Sequence, residues 1–314
     1  MTAPTAVVGA SGNVGKLCVA KMLKEGRPVR AIVRNYASAD ALYEFLQKRD
    51  VCPQLPEIVI ADVADPAKEA AVRDALRGME RVVVCTGTTA FPTRAWAGGD
   101  VAPDDVAGVV WQEWSDRAFD VRKTLDGLAA RGMCTPDVVD GEGVERIAAS
   151  LDPSKTKRVV LMSSLGVTRR AEFPFTVLNA AGVLDAKARG EKAIREATEA
   201  MGAEWTVVRP GQLFGGPYDN NFYLGTLLAL DKNEKTRALE VHRGDVSAGD
   251  TLRASLADVL CHALTCTHTR NIDFTVLTVK GRAPTMERLD AQIHDALTLK
   301  QPGAVSASDL VAAA

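Results

Sequence analysis

Near the start of the chain a glycine triplet, Gly9-Ala-Ser11-Gly12-Asn13-Val14-Gly15, separates a short apolar run from an amphipathic one. Residues 5 to 9 read as a buried strand. Val14 to Glu25 read as a helix whose apolar side is Leu17, Val19, Ala20, Met22 and Leu23, with Gly26 as its stop. At such a turn Gly9 permits the sharp bend, Gly12 lets a pyrophosphate come close to the backbone, and Gly15 lets the helix pack tightly on the strand. The free N–H groups at the helix start face the anion, with Ser11, Asn13 and Val14 in the same turn. A strand-to-helix turn without a ligand is the plain alternative.

Short runs rich in β-branched residues recur at Pro28 to Val33, 57 to 61, 81 to 85, 158 to 162, Glu204 to Val208 and Asn271 to Leu277. Between them Pro66 to Leu76, Asp140 to Ala149, Leu184 to Met201 and Leu256 to Leu264 read as helices. This alternation predicts an α/β fold, a Rossmann-type parallel sheet with helices on both faces and a small C-terminal substrate-side lobe. The expected organisation is a single domain over residues 1–300 with an insertion at about 88–137. The lobe is expected from about 211–250 and 270–300, and a flexible tail at 301–314. The insertion holds Trp96, Trp111 and Trp114, three of the four tryptophans, and a polar amphipathic stretch from Trp111 to Arg131.

A net charge of -2 provides no surface field for nucleic acid, so no such partner is expected. No apolar stretch approaches the roughly 20 residues of a membrane span. Six cysteines are too sparse for a disulfide framework, and Cys18, Cys85 and Cys261 lie in apolar patterns that suggest buried free thiols. Met1 to Thr5 run directly into the first strand, leaving no room for a signal or transit peptide in the chain as given. The expected location is the cytoplasm, or the chloroplast stroma for a chain already freed of its transit peptide.

At the end of the second strand a carboxylate would accept hydrogen bonds from a ribose, but this chain has Arg34, with Arg30 and Lys16 nearby in sequence. A guanidinium pairs bidentately with a 2′-phosphate, which points to NADP as the cofactor. The alternative for Arg34 is a solvent-facing residue at a strand end.

The ordered segments Val8 to Gly15, Ala31-Ile-Val-Arg34, Ala61-Asp62-Val63, Val84-Cys85-Thr86-Gly87, Val160 to Gly166, Lys187 to Glu191, Trp205 to Gly211 and Ser255 to Val259 span most of residues 5 to 280. In that order they resemble the atypical short-chain dehydrogenase/reductase superfamily, especially its NAD(P)-binding group of plant, algal and cyanobacterial proteins. The resemblance implies NADP at the C-terminal strand ends, with Asp62 and Val63 near the adenine and Cys85, Thr86 and Gly87 beside the ribose and pyrophosphate. It further implies Ser163 or Ser164 near the nicotinamide, Lys187 on the nicotinamide ribose, and the Arg209-Pro210-Gly211 loop behind the nicotinamide.

Catalytic members of the wider superfamily carry a Tyr four residues before that Lys, whose charge lowers the phenol pKa. Position 183 here is valine, which transfers no proton. Lys187 and Ser164 are therefore the expected catalytic groups. A serine at a strand end equally often caps local backbone, and Lys187 can instead pair with Glu191 one turn later. Phe173, Pro174, Phe175, Phe214, Tyr218, Phe222 and Tyr223 suggest an aromatic wall for a planar, largely apolar substrate. Cys261-His262-x3-Cys266-x-His268 invites a metal reading, but it begins on an apolar helix pattern without obvious convergence, so no metal is expected. Two functions follow. One is an NADP(H)-dependent oxidoreductase of a small, planar organic substrate. The other is a non-catalytic NADP-binding scaffold, assembly or sensing protein that meets a protein partner through its 93–131 insertion.

Overall fold

The computed structural model describes residues 3–49, 55–215, 237–246 and 248–298. The expected tail at 301–314 lies outside the described residues, as does much of the 211–250 part of the lobe. Strand β1 (Thr5–Val8) is buried along its whole length because helices cover both faces of the sheet. It is followed by β2 (Val29–Val33), β3 (Glu57–Ile60), β4 (Arg81–Val84), β5 (Arg158–Met162) and β6 (Glu204–Pro210). Short β7 (Gln212–Phe214), β8 (Ala238–Arg243), β9 (Asp250–Leu252) and β10 (Ile272–Val279) complete the set.

The main sheet runs β3-β2-β1-β4-β5-β6-β10-β8, with every pairing parallel except the edge pair β8 and β10. This is a Rossmann-like α/β fold with an added C-terminal strand and helix lobe. Its strand order reverses direction at β1 and β4, and such a switch point leaves a crevice at the carboxyl ends of those two strands.

The helices are α1 (Gly15–Lys24), α2 (Tyr36–Lys48), α3 (Glu69–Leu76), α4 (Val106–Asp116), α5 (Val121–Ala130), α6 (Gly143–Ala149), α7 (Phe175–Leu178), α8 (Val183–Ala200), α9 (Arg253–Ala263) and α10 (Met286–Thr298). Buried side chains of α1, α2, α9 and α10 form one core with Val7, Val83, Val160 and Val208 on one sheet face. Those of α3, α6 and α8 form a second core with Ala6, Val8, Val84 and Val207 on the other. The period-two alternation of the strands thus feeds two separate cores.

Several parts of the chain differ from the sequence expectation, among them β8 and α10, which the pattern reading does not give. Helix α2 is absent from the pattern reading because only Leu42 and Leu46 of it are buried. It starts at Asn35, whose side chain accepts the Ser38 N–H at 2.9 Å as an N-cap. The amphipathic stretch at 111–131 is two helices, α4 and α5, because Ala118 and Phe119 take positive φ between them and break the helical path.

Arg209, expected in a loop, is the penultimate residue of β6 and only 1% exposed. Its Nε and Nη2 bind the two oxygens of Glu191 on α8 at 2.8 and 2.6 Å, and its Nη1 pairs with Asp273. Burial opposes the charge on Arg209, but the Glu191 hydrogen bonds and the charges of Glu191 and Asp273 outweigh it and hold the guanidinium above its ordinary pKa. The Ser163 hydroxyl closes this network on Glu191 at 2.6 Å. Glu191→Gln removes the charge that compensates a buried guanidinium, so it should destabilise the fold by about 3 kcal/mol in urea denaturation. A loss below about 1 kcal/mol, the scale of an exposed pair, would show that the network is not holding α8 to the sheet.

Candidate functional site

The turn after β1 has the geometry its glycines imply. Gly9 sits at φ +74°, and a Cβ there would meet the Thr86 amide nitrogen at 2.8 Å. A Cβ at Gly15 would lie 2.2 Å from the Gly9 carbonyl oxygen, so only glycine lets the first turn of α1 rest on the strand. Helix α1 begins at Val14 with no side-chain cap and no acidic residue in its first turn. Among the described residues, no acceptor is recorded for the amides of Ser11, Asn13 and Val14. An uncapped helix start with free amides is an anion cradle.

The other expected contacts line the same edge of the sheet: Arg34 beyond β2, Asp62 and Val63 beyond β3, and Cys85, Thr86 and Gly87 beyond β4. Asp62 is half-buried and accepts the Ala64 N–H, while the carbonyl of buried Val63 accepts from Arg146. The hydroxyls of Thr86, Thr88 and Thr135 are buried without a hydrogen-bond partner. Orphaned hydroxyls of this kind cost free energy unless a ligand meets them, so the pocket's chemistry fits a polyhydroxylated, phosphorylated guest.

Arg34 is exposed and, among the described residues, pairs with no carboxylate; its Nη1 reaches Cys134 Sγ at 3.3 Å and the Ala97 carbonyl at 3.5 Å. Both partners belong to the insertion, which therefore leans over the Arg34 end of the crevice. Burial raises the Cys134 pKa and Arg34 lowers it in part. Buried Trp96 packs in this segment's own small core with Val106, Leu128 and Met133, its indole N–H donating to the Thr89 carbonyl at 3.0 Å. Arg30 and Lys16 do not join Arg34. Arg30 turns to the opposite edge, bound to Glu57 at 2.9 Å and to the carbonyls of Ala75 and Arg77. Lys16 stands over the Phe45 ring, and burial, followed by the charges of Arg253 and Arg49, lowers its pKa.

Lys187 sits on the second turn of α8 and is mostly buried. Its Nζ bonds Asp140 Oδ1 at 2.6 Å, and the other Asp140 oxygen accepts the Thr88 N–H at 3.0 Å. A Cβ at Gly87 would lie 3.3 Å from that Nζ, so the ammonium stands directly beside the chain end of β4. Asp140 is 1% exposed and lies in a π-helical turn, Asp137–Glu142, leading into α6. Such turns recur where a side chain is re-aimed for function. Sequence reading places residue 140 on a helix but does not single it out. With Glu142, Glu145 and Arg146 in the same segment, no local signal separates Asp140 from the other charged residues.

Several expected residues lie elsewhere. Ser163 is buried and committed to Glu191, whereas Ser164 is half-buried and, among the described residues, its hydroxyl bonds the neighbouring Leu165 carbonyl at 3.0 Å. Pro210 is buried, its carbonyl accepting the Leu165 N–H, and the Gly211 N–H donates to Thr251 Oγ1 at 2.9 Å. Val183 packs with Leu165, Val167, Phe175 and Leu184 in a small apolar cluster at the start of α8. The aromatic wall does not form among the described residues. Phe173 is 84% exposed, Phe175 is buried under Gly166, and Phe214 is buried. Tyr218, Phe222 and Tyr223 lie outside the described residues. A groove of about 530 Å³ lies at the opposite sheet edge, where Lys157 pairs with Glu80 and both Arg158 and Arg270 with Glu204.

Residues 9–266 match the model of a family described as NAD(P)H-binding, a span covering most of the chain. The chain belongs to the NAD(P)H-binding family. Among solved structures, a Bacillus halodurans protein assigned to the NAD-dependent epimerases/dehydratases is similar with a TM-score of 0.59 and 18% identity, covering 92% of this chain and 99% of that one. An anaerobillin reductase of Escherichia coli O157:H7 gives 0.53 at 15% identity, over 90% and 100%. A short-chain dehydrogenase/reductase of Veillonella parvula in complex with NADP gives 0.53 at 11% identity, over 91% and 100%. At these identities the likeness shows the fold alone, the Rossmann-like α/β sheet described above. No curated protein matches the chain significantly in sequence.

The loop after β5 is held by Asp245, a residue the sequence reading did not single out. Its carboxylate accepts the N–H groups of Gly166 and Thr168 at 2.9 and 2.8 Å, the Thr168 hydroxyl at 2.9 Å, and Arg169 at 3.2 Å. Burial alone would raise its pKa, but these donors outweigh burial and leave it below the ordinary carboxylate value. Because the folded pKa is the lower one, the stabilisation is complete above the unfolded value of about 3.9 and is lost as the pH falls through the folded pKa. Asp245→Asn should therefore lower stability at pH 7 and flatten the acid limb of a stability-versus-pH curve below about pH 4. An unchanged acid limb in the variant would remove Asp245 as the loop's anchor.

Proposed function

We propose that the protein is an NADP(H)-dependent oxidoreductase that reduces a small organic substrate without a tyrosine acid. The observation that carries this reading is the Lys187 ammonium, held by buried Asp140 against Gly87 at the end of β4 and next to the orphaned hydroxyls of Thr86 and Thr88. NADP(H), when bound, supplies the hydride chemistry. The amides of Ser11, Asn13 and Val14 at the start of α1 hold the diphosphate. The Thr86 hydroxyl, with Cys85 and Gly87, borders the ribose, and Asp62 and Val63 border the adenine. One of the three Lys187 donors stays on Asp140, which leaves two for ribose hydroxyls or a substrate oxygen. With valine at 183, Lys187 Nζ is the group placed to give a proton to a reduced oxygen. The Ser164 hydroxyl, free of any side-chain partner, orients that oxygen; Ser163 serves the Glu191 network instead. Pro210 and Gly211 back the far end of the crevice.

Preference for the 2′-phosphorylated cofactor rests on Arg34. Its weak contacts with a thiol and a carbonyl are readily exchanged for the two oxygens of a phosphate. Grouping with the plant, algal and cyanobacterial proteins rests on motif order alone. The five cysteines among the described residues are buried and free, which suits a reducing compartment such as cytoplasm or chloroplast stroma. Among the described residues no helix is long and apolar enough to cross a membrane.

A second reading, a scaffold that binds the nucleotide without turnover, draws on the insertion. Trp111, Trp114 and Phe119 stack edge-to-face at 5.8 and 5.3 Å, yet Trp111 is 62% exposed. Aromatic side chains in such a setting are anchors for a protein partner. Stoichiometric NADPH binding with no oxidation across quinones, flavins and carbonyls would favour this second reading.

Arg34→Ala should weaken NADPH binding by at least about tenfold while changing NADH binding by no more than about twofold, the difference set by one charge-assisted phosphate contact. Equal losses for both nucleotides would remove Arg34 from the phosphate. Lys187→Met should lower kcat by about 100-fold or more, within the range for a lost general acid. Asp140→Asn should lower it less while raising KM, because it frees the ammonium from its position. Full turnover in Lys187→Met would overturn the assignment of the proton.

A further inference from the structure

We propose a second site, unrelated to the dinucleotide crevice: a divalent transition-metal site formed by His262, Cys266 and Asp290. His262 is the penultimate residue of α9, and the Cys266 N–H bonds the His262 carbonyl at 3.0 Å, so the two side chains leave the same side of one continued helical turn. Asp290 comes from α10, which is pinned by buried Leu289, Ile293 and Leu297. A single carboxylate oxygen, Asp290 Oδ1, lies 3.0 Å from His262 Nε2 and 3.3 Å from Cys266 Sγ. All three potential ligand atoms fall within 4.8 Å of one another.

Those spacings match the chemistry of zinc. With metal–ligand bonds of about 2.0–2.3 Å, the donors of a tetrahedral site stand about 3.3–3.8 Å apart, so small side-chain movements would place an ion among these three. A thiolate and a carboxylate cancel the charge of a divalent cation, and neutral imidazole completes a nitrogen, sulfur and oxygen set that selects zinc or cobalt over magnesium or calcium. When Sγ bonds the metal, the thiol proton leaves to solvent. The fourth position faces outward, since the Asp290 side chain is 45% exposed. His268 and His294 stack edge-to-face at 4.4 Å beside them, so three of the chain's four histidines gather in this corner.

The framework is rigid before any ion arrives. Buried Arg158, at the start of β5, donates through Nη2 to the carbonyls of Ala263 and Cys266 at 2.8 and 2.9 Å and to Thr269 Oγ1 at 2.6 Å. This outer shell fixes the segment that carries Cys266. A Cys-His-Asp nucleophile fits the same atoms poorly, because the thiol is 4% exposed and faces the carboxylate rather than the imidazole. Sequence spacing hides the site for two reasons. Cys261, the first residue of the apparent motif, points inward with Sγ on the Cys18 carbonyl, and the third ligand lies on another helix. A metal here clips α10 to α9 at the sheet edge remote from Lys187.

The test uses the full chain, stripped with EDTA, desalted and titrated with Co²⁺. The expected result is saturation at a single equivalent, with a near-ultraviolet thiolate-to-cobalt band and the visible bands of a four-coordinate ion. Cys266→Ser should abolish the ultraviolet band, Cys134→Ser should keep it, and Asp290→Asn should lose tight binding while far-ultraviolet circular dichroism and NADPH affinity stay unchanged. Zn²⁺ should raise Tm in the wild-type chain and leave Asp290→Asn unmoved. No band in the wild-type chain, a band that survives Cys266→Ser, or a Zn²⁺ shift that persists in Asp290→Asn would each overturn the site.

Discussion

The structure depends on the contact between the first turn of α1 and the end of β1, where Gly15 rests on the Gly9 carbonyl. No side chain fits between them, so the helix axis is aimed at the crevice between β1 and β4 with its amides open. Every other feature of the candidate site is arranged around that fixed point. The strands β2 to β6 end at the same edge because their connections are parallel crossovers, and each contributes the residue just beyond its last hydrogen-bonded position. The site is therefore a consequence of topology first and of side-chain identity second.

Helix α8 shows how one element divides structural from chemical duties. Lys187 and Glu191 are one turn apart and in an isolated helix would pair weakly with each other. In the folded protein each has a partner in a less hydrated place: Glu191 takes Arg209 from the sheet, and Lys187 takes Asp140 from the π-helical turn. The first pair fastens the helix to β6. The second leaves an ammonium positioned but incompletely bonded, which is the state a binding or proton-donating group requires. Ser163 and Ser164 are separated by the same logic, since alternate residues after a strand point to opposite sides.

The insertion has a two-sided character. Trp96 is buried in the segment's own core and donates to the Thr89 carbonyl, while Ala97 and Cys134 meet Arg34. Trp111, Trp114 and Phe119 stack on one another toward solvent. A segment anchored this way reports on the adenosine end of the crevice rather than the nicotinamide end. That gives the catalytic and the scaffold readings a common mechanical element.

Local sequence was sufficient for the seven parallel strands of the main sheet though not for β7, β8 or β9, and for the glycine turn, the buried thiols of Cys18, Cys85 and Cys261, and the edge of the sheet to which Arg34, Asp62 and Thr86 belong. These follow from short-range sterics and from hydrophobic periodicity, which act within a few residues. Helix α2 escaped because a helix with two buried residues carries almost no periodic signal, and its Asn35 cap is recognisable only once the helix is known. The partners of Arg209, Lys187 and Arg30, the anchoring role of Asp245, and the meeting of His262 and Cys266 with Asp290 were decided by tertiary structure alone. Each joins residues tens of positions apart, and a charged or ligating side chain chooses among distant partners by desolvation and geometry, neither of which is encoded in spacing along the chain.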